Sequence, residues 1–195
     1  IMDTLASLAL ATEMPTETLL ERKPYGRNNA ILSRHMIAFI VGHALYQLTV
    51  LFGLLFFGHH LFSLESGLFA DLHAPPSQHF TIVFNSFALM TIFNELNARK
   101  LHGERNIFAG VFRNWIFVAI WVGTFVAQVC IVQFGGRAFS TAPLGVVHWA
   151  GCLGFGIGTL VWGQIVISIP VGREAEAEEA TEDVEHEEAT QPIPE

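Results

Sequence analysis

Charged residues are scarce in this chain. Only 14% of its 195 residues are Asp, Glu, Lys or Arg, whereas an average soluble domain carries about 25%. Hydrophobic residues make up 51% of the chain and include 17 phenylalanines. Because these residues lie in long uninterrupted blocks, the composition favours a membrane protein over a soluble globular domain.

Cysteine is scarcer still, with only Cys130 and Cys152 in the whole chain. Two such distant cysteines exclude a disulfide framework and a zinc site of the usual kind. Both fall in apolar blocks, so we expect them to be buried free thiols. The N-terminus lacks the charged region and cleavage site of a signal peptide. We therefore expect that internal segments direct membrane insertion or that the natural N-terminus lies upstream.

The net charge of −8 arises in the last 23 residues. Residues 173–195 contain 10 of the 18 acidic residues and one of the 10 basic residues, so the rest of the chain is almost neutral. This polar composition predicts a disordered acidic tail, which is a solvated linker or, alternatively, a ligand for a basic partner. The chain has no basic patch suited to nucleic acid, so we predict no such partner.

Four apolar blocks are long enough to cross a bilayer, which requires about 20 helical residues. They comprise residues 35–57, 80–96, 115–134 and 144–169. Residues 1–11 are too short to cross alone and fit the end of an earlier span. Lipid offers no partner for open backbone groups, so each block is predicted to be helical. The predicted fold class is all-α: a polytopic membrane helix bundle with the end of one span, four complete transmembrane helices and a disordered acidic tail.

Basic residues alternate between the connectors of these blocks. Eight of the ten lie before the first complete span or between the second and third: Arg22, Lys23, Arg27, Arg34, Arg99, Lys100, Arg105 and Arg113. The connectors at 58–79 and 135–143 contain only Arg137. Because Lys and Arg accumulate on the cytoplasmic side, the two basic connectors and the tail are predicted to be cytoplasmic.

Asp3 is the first candidate functional residue. A carboxylate well inside a membrane span is costly unless it is paired or coordinated. Coordination of a hard cation such as Ca²⁺ would offset that cost. The spacing alone leaves equally open the alternative that Asp3 lies near a membrane surface.

Three further polar residues lie in or at the end of the spans. Glu95 is interpreted as an interfacial carboxylate that pairs with Arg99 four residues later, in preference to an ion-transport role. Asn85 and Gln47 lie near the middle of their spans. We predict that they form hydrogen bonds between helices.

A glycine-rich stretch and a histidine cluster complete the candidates. Gly154 and Gly158 form a GxxxG pair, extended by Ala150, which predicts a close helix contact rather than a nucleotide-binding loop, because no strand precedes it. The connector at 58–79, which is predicted to face outside, contains His59, His60, His73 and His79. A loop whose charge varies with pH is favoured over a metal site there.

IMDTLASLALATE and PTETLLERKPYGRN resemble the end of the sixth membrane helix and the following loop of type II P-type calcium pumps. FNELNARKLHGERNIF and IVQFGGRAF are similar to the plasma-membrane calcium pumps in particular, the type IIB P-type ATPases, and GIGTLVWGQIVISIP continues the resemblance. It implies the C-terminal membrane part of an ATP-driven enzyme that exports Ca²⁺ across the plasma membrane in exchange for protons. It also implies a division into 1–11 (end of helix six), 12–34 (cytoplasmic loop), 35–172 (helices seven to ten) and 173–195 (cytoplasmic tail).

The resemblance implies a role for Asp3. Residues Ile1-Met2-Asp3 match the end of the family's N-L-I-M-D pattern, whose aspartate is a ligand of the transported Ca²⁺. Residues 87–90 of the eighth helix contain no carboxylate, whereas two-site pumps have one there, which agrees with one Ca²⁺ per cycle. The phosphorylation and nucleotide domains, which use Mg²⁺ and ATP, are absent from this sequence. We therefore expect no catalytic or cofactor-binding residues in this chain.

The resemblance also implies partners: the remainder of the pump, membrane lipids and a single-span accessory subunit. Arg99, Lys100 and Arg105 are suited to acidic phospholipids. No basic amphipathic segment follows the acidic tail, so calmodulin, which regulates the family, is not predicted to bind this chain. The alternative function is a non-catalytic membrane scaffold or regulatory subunit derived from such a pump.

Overall fold

The computed structural model describes residues 2–12, 34–69, 75–99 and 110–168, and within these ranges all regular structure is helical. The α-helices are α1 (Met2–Ala11), α2 (Arg34–Leu61), α3 (Gln78–Ala98), α4 (Trp115–Phe134), α5 (Gly136–Phe139) and α6 (Val146–Ser168). Short 3₁₀ helices occupy Gly67–Phe69 and Val111–Arg113. The predicted all-α bundle is confirmed. Most of the predicted loop at 12–34 and the whole tail at 173–195 lie outside the described residues.

Three of the described helices, α2, α4 and α6, are long and apolar enough to span a membrane. The remaining predicted span, α3, has sufficient length with 21 residues but is more polar. Twelve of these 21 residues are buried, whereas four of the 20 residues of α4 are buried. The polar residues of α3 are therefore accommodated because neighbouring helices, rather than lipid, surround them.

Two glycines of α6 allow α3 to approach it closely. A Cβ atom added at Gly156 would lie 2.6 Å from Cδ2 of Phe93, and one at Gly163 would lie 2.6 Å from Nδ2 of Asn97. The two positions are seven residues apart, so they lie on one face of the helix. Bulkier residues there would separate the two helices.

The predicted contact stripe on α6 is only partly correct. Gly158 does meet another helix, because it lies against the hydroxyl group of Tyr46 in α2. No atom lies within 4 Å of a Cβ placed at Gly154 among the described residues, and Ala150 is exposed. The prediction was wrong at these two positions because α6 turns a different face toward α3.

Two apolar clusters hold the bundle together. The larger one joins α2, α3, α4 and α6 through Leu54, Ile82, Leu89, Ile92, Val132, Leu144 and Cys152. The smaller one joins α1 to α3 and α4 through Ala9, Leu96, Val111 and Phe117. Cys152 is a buried free thiol, as predicted, whereas Cys130 is free but exposed on α4. The prediction of burial was wrong for Cys130 because the described helices do not cover that face of α4.

Candidate functional site

The end of α1, the helix that contains Asp3, is fixed to the start of α4 by Asn114. The side-chain oxygen of Asn114 accepts a hydrogen bond from the backbone N–H of Phe117 at 3.2 Å, which caps α4. Its amide nitrogen donates to the carbonyl oxygen of Thr12 at 3.0 Å. The hydroxyl group of Thr12 donates to the carbonyl oxygen of Ala9 at 2.7 Å. Asn114 therefore holds the C-terminal end of α1 next to the start of α4.

This anchor fixes how far Asp3 lies along α1 from the start of α4. Asp3 precedes Thr12 by nine residues in α1, which corresponds to about 13 Å along the helix axis. Helix α4 has 20 residues, or a length of about 30 Å. Asp3 therefore lies about 13 Å along α1 from this anchor, and its depth in the membrane stays a prediction. Its side chain lies outside the described part of the structure, so its role as a Ca²⁺ ligand stays a prediction.

Apolar packing also holds the C-terminal end of α1 against α3 and α4. Ala9 is completely buried in the cluster with Leu96 and Phe117. The guanidinium carbon of Arg99 lies 4.8 Å from the centre of the Phe117 ring, an arrangement that stabilises a cation over an aromatic face. Of the three residues predicted to contact acidic phospholipids, Lys100 and Arg105 lie outside the described residues.

Glu95 is buried at the end of α3. Its exposed fraction is 5%, and α3 ends three residues later at Ala98. This position agrees with the predicted location near the end of the span. The predicted pairing with Arg99 stays a prediction.

Side-chain hydrogen bonds connect the helices in the middle of the bundle. The amide nitrogen of Gln128 in α4 donates to the side-chain oxygen of Asn85 in α3 at 3.1 Å, which confirms the interhelical bond predicted for Asn85. Gln47, for which the same kind of bond was predicted, borders a cleft between α2 and α3.

Three aromatic hydrogen-bond donors between the helices were not predicted from the sequence. Their N–H or O–H groups, which usually find a partner when buried, reach carbonyl oxygens of other helices: Trp121 to Ile92, Tyr46 to Phe155 and Trp162 to Gly42.

His79 joins three elements at the predicted outer end. Its Nε2 lies 2.9 Å from the carbonyl oxygen of Leu54, and its Nδ1 accepts a hydrogen bond from the N–H of Gly67 at 3.3 Å. Both ring nitrogens are therefore engaged with backbone groups of other elements. A buried helical position was not foreseen, so the placement of His79 in the connecting loop was wrong.

Among the described residues, His59 and His60 do not form a metal site with His79. His59 and His60 lie in the last turn of α2, with ring centres 4.0 Å apart. His73 falls outside the described residues. In the part of the chain that the structure describes, no group of three or more His, Cys, Asp or Glu residues could hold a metal ion.

Comparison with known proteins identifies relatives of this chain. A family model for the C-terminus of cation transporting ATPases matches residues 1–169. The plasma membrane calcium-transporting ATPase mca-1 of Caenorhabditis elegans is 61% identical over 170 residues, or 87% of this chain. Plasma membrane calcium-transporting ATPase 1 of Homo sapiens is 60% identical over 173 residues, or 89% of this chain. The matched segment is 14% of either relative, so the chain spans about one seventh of their length.

Proposed function

The chain belongs to the family of cation-transporting ATPases, whose C-terminal region it matches, and we propose that it is the C-terminal membrane part of an ATP-driven pump that exports Ca²⁺ in exchange for protons. The observation that carries this proposal is the identity of 61% to a calcium-transporting relative over 87% of the chain. The transport activity belongs to the whole protein. This chain contributes transmembrane helices to it.

The helices have different tasks in this proposal. Asp3 in α1 binds the transported Ca²⁺, because a carboxylate oxygen is a preferred ligand of this hard cation and the ion offsets the cost of a charge inside the membrane. Helices α3 and α4 contact α1, and α2 and α6 pack in turn against α3. The Asn114 anchor and the cluster around Phe117 support this division, because they fix the end of α1 to that scaffold.

The remaining functions lie outside these helices. Mg²⁺ and ATP bind to domains that precede this chain in the full-length protein. The protein lies in the plasma membrane, with the basic connectors and the C-terminus in the cytoplasm. Acidic phospholipids contact the basic connector that contains Arg99, Lys100 and Arg105, and a single-span accessory subunit packs on the outer surface of the bundle.

Substitution of Asp3 in the full-length protein tests the proposal. Asp3→Asn keeps the size of the side chain but removes its charge, so we expect ATP-dependent Ca²⁺ uptake by inside-out membrane vesicles to fall to background. The exposed carboxylate Glu65 provides a matched control, and Glu65→Gln is expected to transport normally. Normal uptake by Asp3→Asn, at an equal amount of folded protein, would remove Asp3 from the ion site.

A further inference from the structure

Asn114 uses both polar atoms of its side chain at the junction between α1 and α4. The oxygen accepts a hydrogen bond from the backbone N–H of Phe117 at 3.2 Å and so caps α4. The nitrogen donates to the carbonyl oxygen of Thr12 at 3.0 Å and to the Thr12 hydroxyl oxygen at 3.3 Å. An asparagine side chain offers two N–H donors and one acceptor oxygen, so a single residue caps one helix and binds the end of another.

Capping alone does not require an asparagine at this position. Serine and aspartate cap helices about as well, because either side chain offers an oxygen to the N–H groups of the first turn. An ionised aspartate has no donor, however, and serine carries its only hydrogen on the oxygen that accepts. The bond donated to Thr12 is therefore the contribution that distinguishes Asn114 from an ordinary cap.

Thr12 directly follows the last residue of α1, Ala11. The last carbonyl groups of a helix have no partner within that helix, and Asn114 supplies one for Thr12. The backbone N–H and the hydroxyl group of Thr12 both donate to the carbonyl oxygen of Ala9, at 3.3 Å and 2.7 Å. Ala9 is completely buried. A shift at Asn114 is therefore passed through Thr12 to the last turn of α1.

Helix α1 connects this contact to Asp3. Asp3 precedes Thr12 by nine residues, and α1 continues to Ala11, so the two residues are about 13 Å apart along the helix axis. Such a helix moves as a unit, because hydrogen bonds join each turn to the next. Ca²⁺ binds oxygen ligands at about 2.3–2.6 Å, so even a displacement of α1 by a fraction of an ångström alters a bond to the ion.

We propose that Asn114 is a positioning residue for the binding of Ca²⁺. Its bond to Thr12 holds α1 in the arrangement in which the carboxylate of Asp3 reaches the ion. Asn114 acts only through this helix and does not itself bind Ca²⁺. The inference rests on the proposed function, because it takes Asp3 to be a ligand of the transported ion.

Loss of the bond is expected to weaken Ca²⁺ binding rather than to stop transport. Without it, α1 has further arrangements, and the apparent dissociation constant rises as the fraction of molecules able to bind Ca²⁺ falls. One hydrogen bond of ordinary strength shifts such an equilibrium about 3- to 10-fold. We expect the free Ca²⁺ concentration for half-maximal transport to rise by this factor. Saturating Ca²⁺ restores the binding arrangement, so the maximal rate should stay within about twofold of the parent.

Two variants of the full-length protein remove the donor and keep the cap. Asn114→Asp places a second oxygen opposite the Thr12 carbonyl group, where the two oxygens repel each other. Asn114→Ser introduces no charge, and its hydroxyl group, one bond closer to the backbone than the amide nitrogen, falls short of Thr12. ATP-dependent Ca²⁺ uptake by inside-out vesicles, measured over a range of free Ca²⁺, gives both the half-maximal concentration and the maximal rate. Both variants are expected to show the shift in concentration.

Ser77 provides a matched control. Its hydroxyl oxygen caps α3 by accepting from the N–H of Phe80 at 3.2 Å, at the opposite end of α3 from Leu96, which packs in the cluster with α1. Ser77→Asp introduces the same charge at a helix cap, and we expect it to keep the half-maximal Ca²⁺ concentration of the parent. An equal shift in Ser77→Asp would overturn the inference, because that cap is remote from α1.

A purely structural role of Asn114 gives a different result. It would lower the thermal unfolding temperature and the amount of folded protein but leave the Ca²⁺ affinity of the folded protein unchanged. Parental affinity in both Asn114 variants would therefore overturn the inference, whatever their stability. A reduced maximal rate at unchanged affinity would overturn it as well.

These outcomes are separable from the proposed function. Parental Ca²⁺ affinity of the Asn114 variants, in a protein that transports Ca²⁺ and loses transport with Asp3→Asn, would overturn the positioning role alone. A parent protein without ATP-dependent Ca²⁺ transport, or normal uptake by Asp3→Asn, would overturn the proposed function itself.

Discussion

Helix α3 has one closed interface and one open interface. On the side of α6, Gly156 and Gly163 leave space for the side chains of Phe93 and Asn97. The amide nitrogen of Asn97 also donates a hydrogen bond to the carbonyl oxygen of Thr159 at 3.0 Å. On the side of α2, His43 and the oxygen of Asn94, three residues before Asn97, have no hydrogen-bond partner among the described residues. The same helix therefore has one contact formed among the described residues and one side on which polar atoms have no partner among them.

The largest loss of stability is expected when a bulkier residue replaces Gly163. Its Cβ would lie 2.6 Å from Nδ2 and 2.7 Å from Cγ of Asn97, so Gly163→Val must displace Asn97 and break the bond to Thr159. We expect a loss of stability of about 2–4 kcal/mol from overpacking and the lost hydrogen bond. Thermal unfolding of the full-length protein in detergent measures it.

Gly154 on the same helix is the matched control. Nothing among the described residues lies within 4 Å of a Cβ at this position, so Gly154→Val should change stability by no more than about 0.5 kcal/mol. Equal losses for the two variants would mean that the closed interface is not where the structure places it.

A smaller effect is expected from the polar pair that α3 forms with α4. Asn85→Ala, Gln128→Ala and the double variant form a cycle around the 3.1 Å hydrogen bond between these side chains. We expect a coupling energy of about 0.6 kcal/mol, with an upper value of about 1.7 kcal/mol, as for other hydrogen bonds between membrane helices. The free energies of unfolding of the four full-length proteins give this coupling. Strict additivity would contradict a direct bond.

The sequence predicted the helices well because bilayer thickness sets the length of an apolar block. The block at 115–134 has the same bounds as α4, and the block at 144–169 differs from α6 by two residues at one end and one at the other. It could not predict which faces meet. The rotation of α6 depends on neighbours distant in sequence, so the stripe through Gly154 was placed wrongly although the close contact itself was expected.

The candidate site was predictable to a different degree at each residue. Asp3 was proposed as a ligand because a carboxylate in an apolar run is conspicuous, and this role stays a prediction. The hydrogen bond between Asn114 and Thr12 could not be foreseen, because these residues are 102 positions apart in sequence. His79 was misjudged because its partners, Leu54 and Gly67, are brought to it only by the fold. Nothing in the sequence distinguished His43, because only the structure shows that its ring nitrogens have no hydrogen-bond partner among the described residues.

Equilibrium binding of Ca²⁺ to the purified full-length protein, in the absence of ATP, tests the central claim most directly. We predict one bound Ca²⁺ per molecule for the parent protein and none for Asp3→Asn at the same free Ca²⁺ concentration, with both proteins equally folded. Unchanged binding by the Asp3→Asn protein would contradict the assignment of this helix to the ion site.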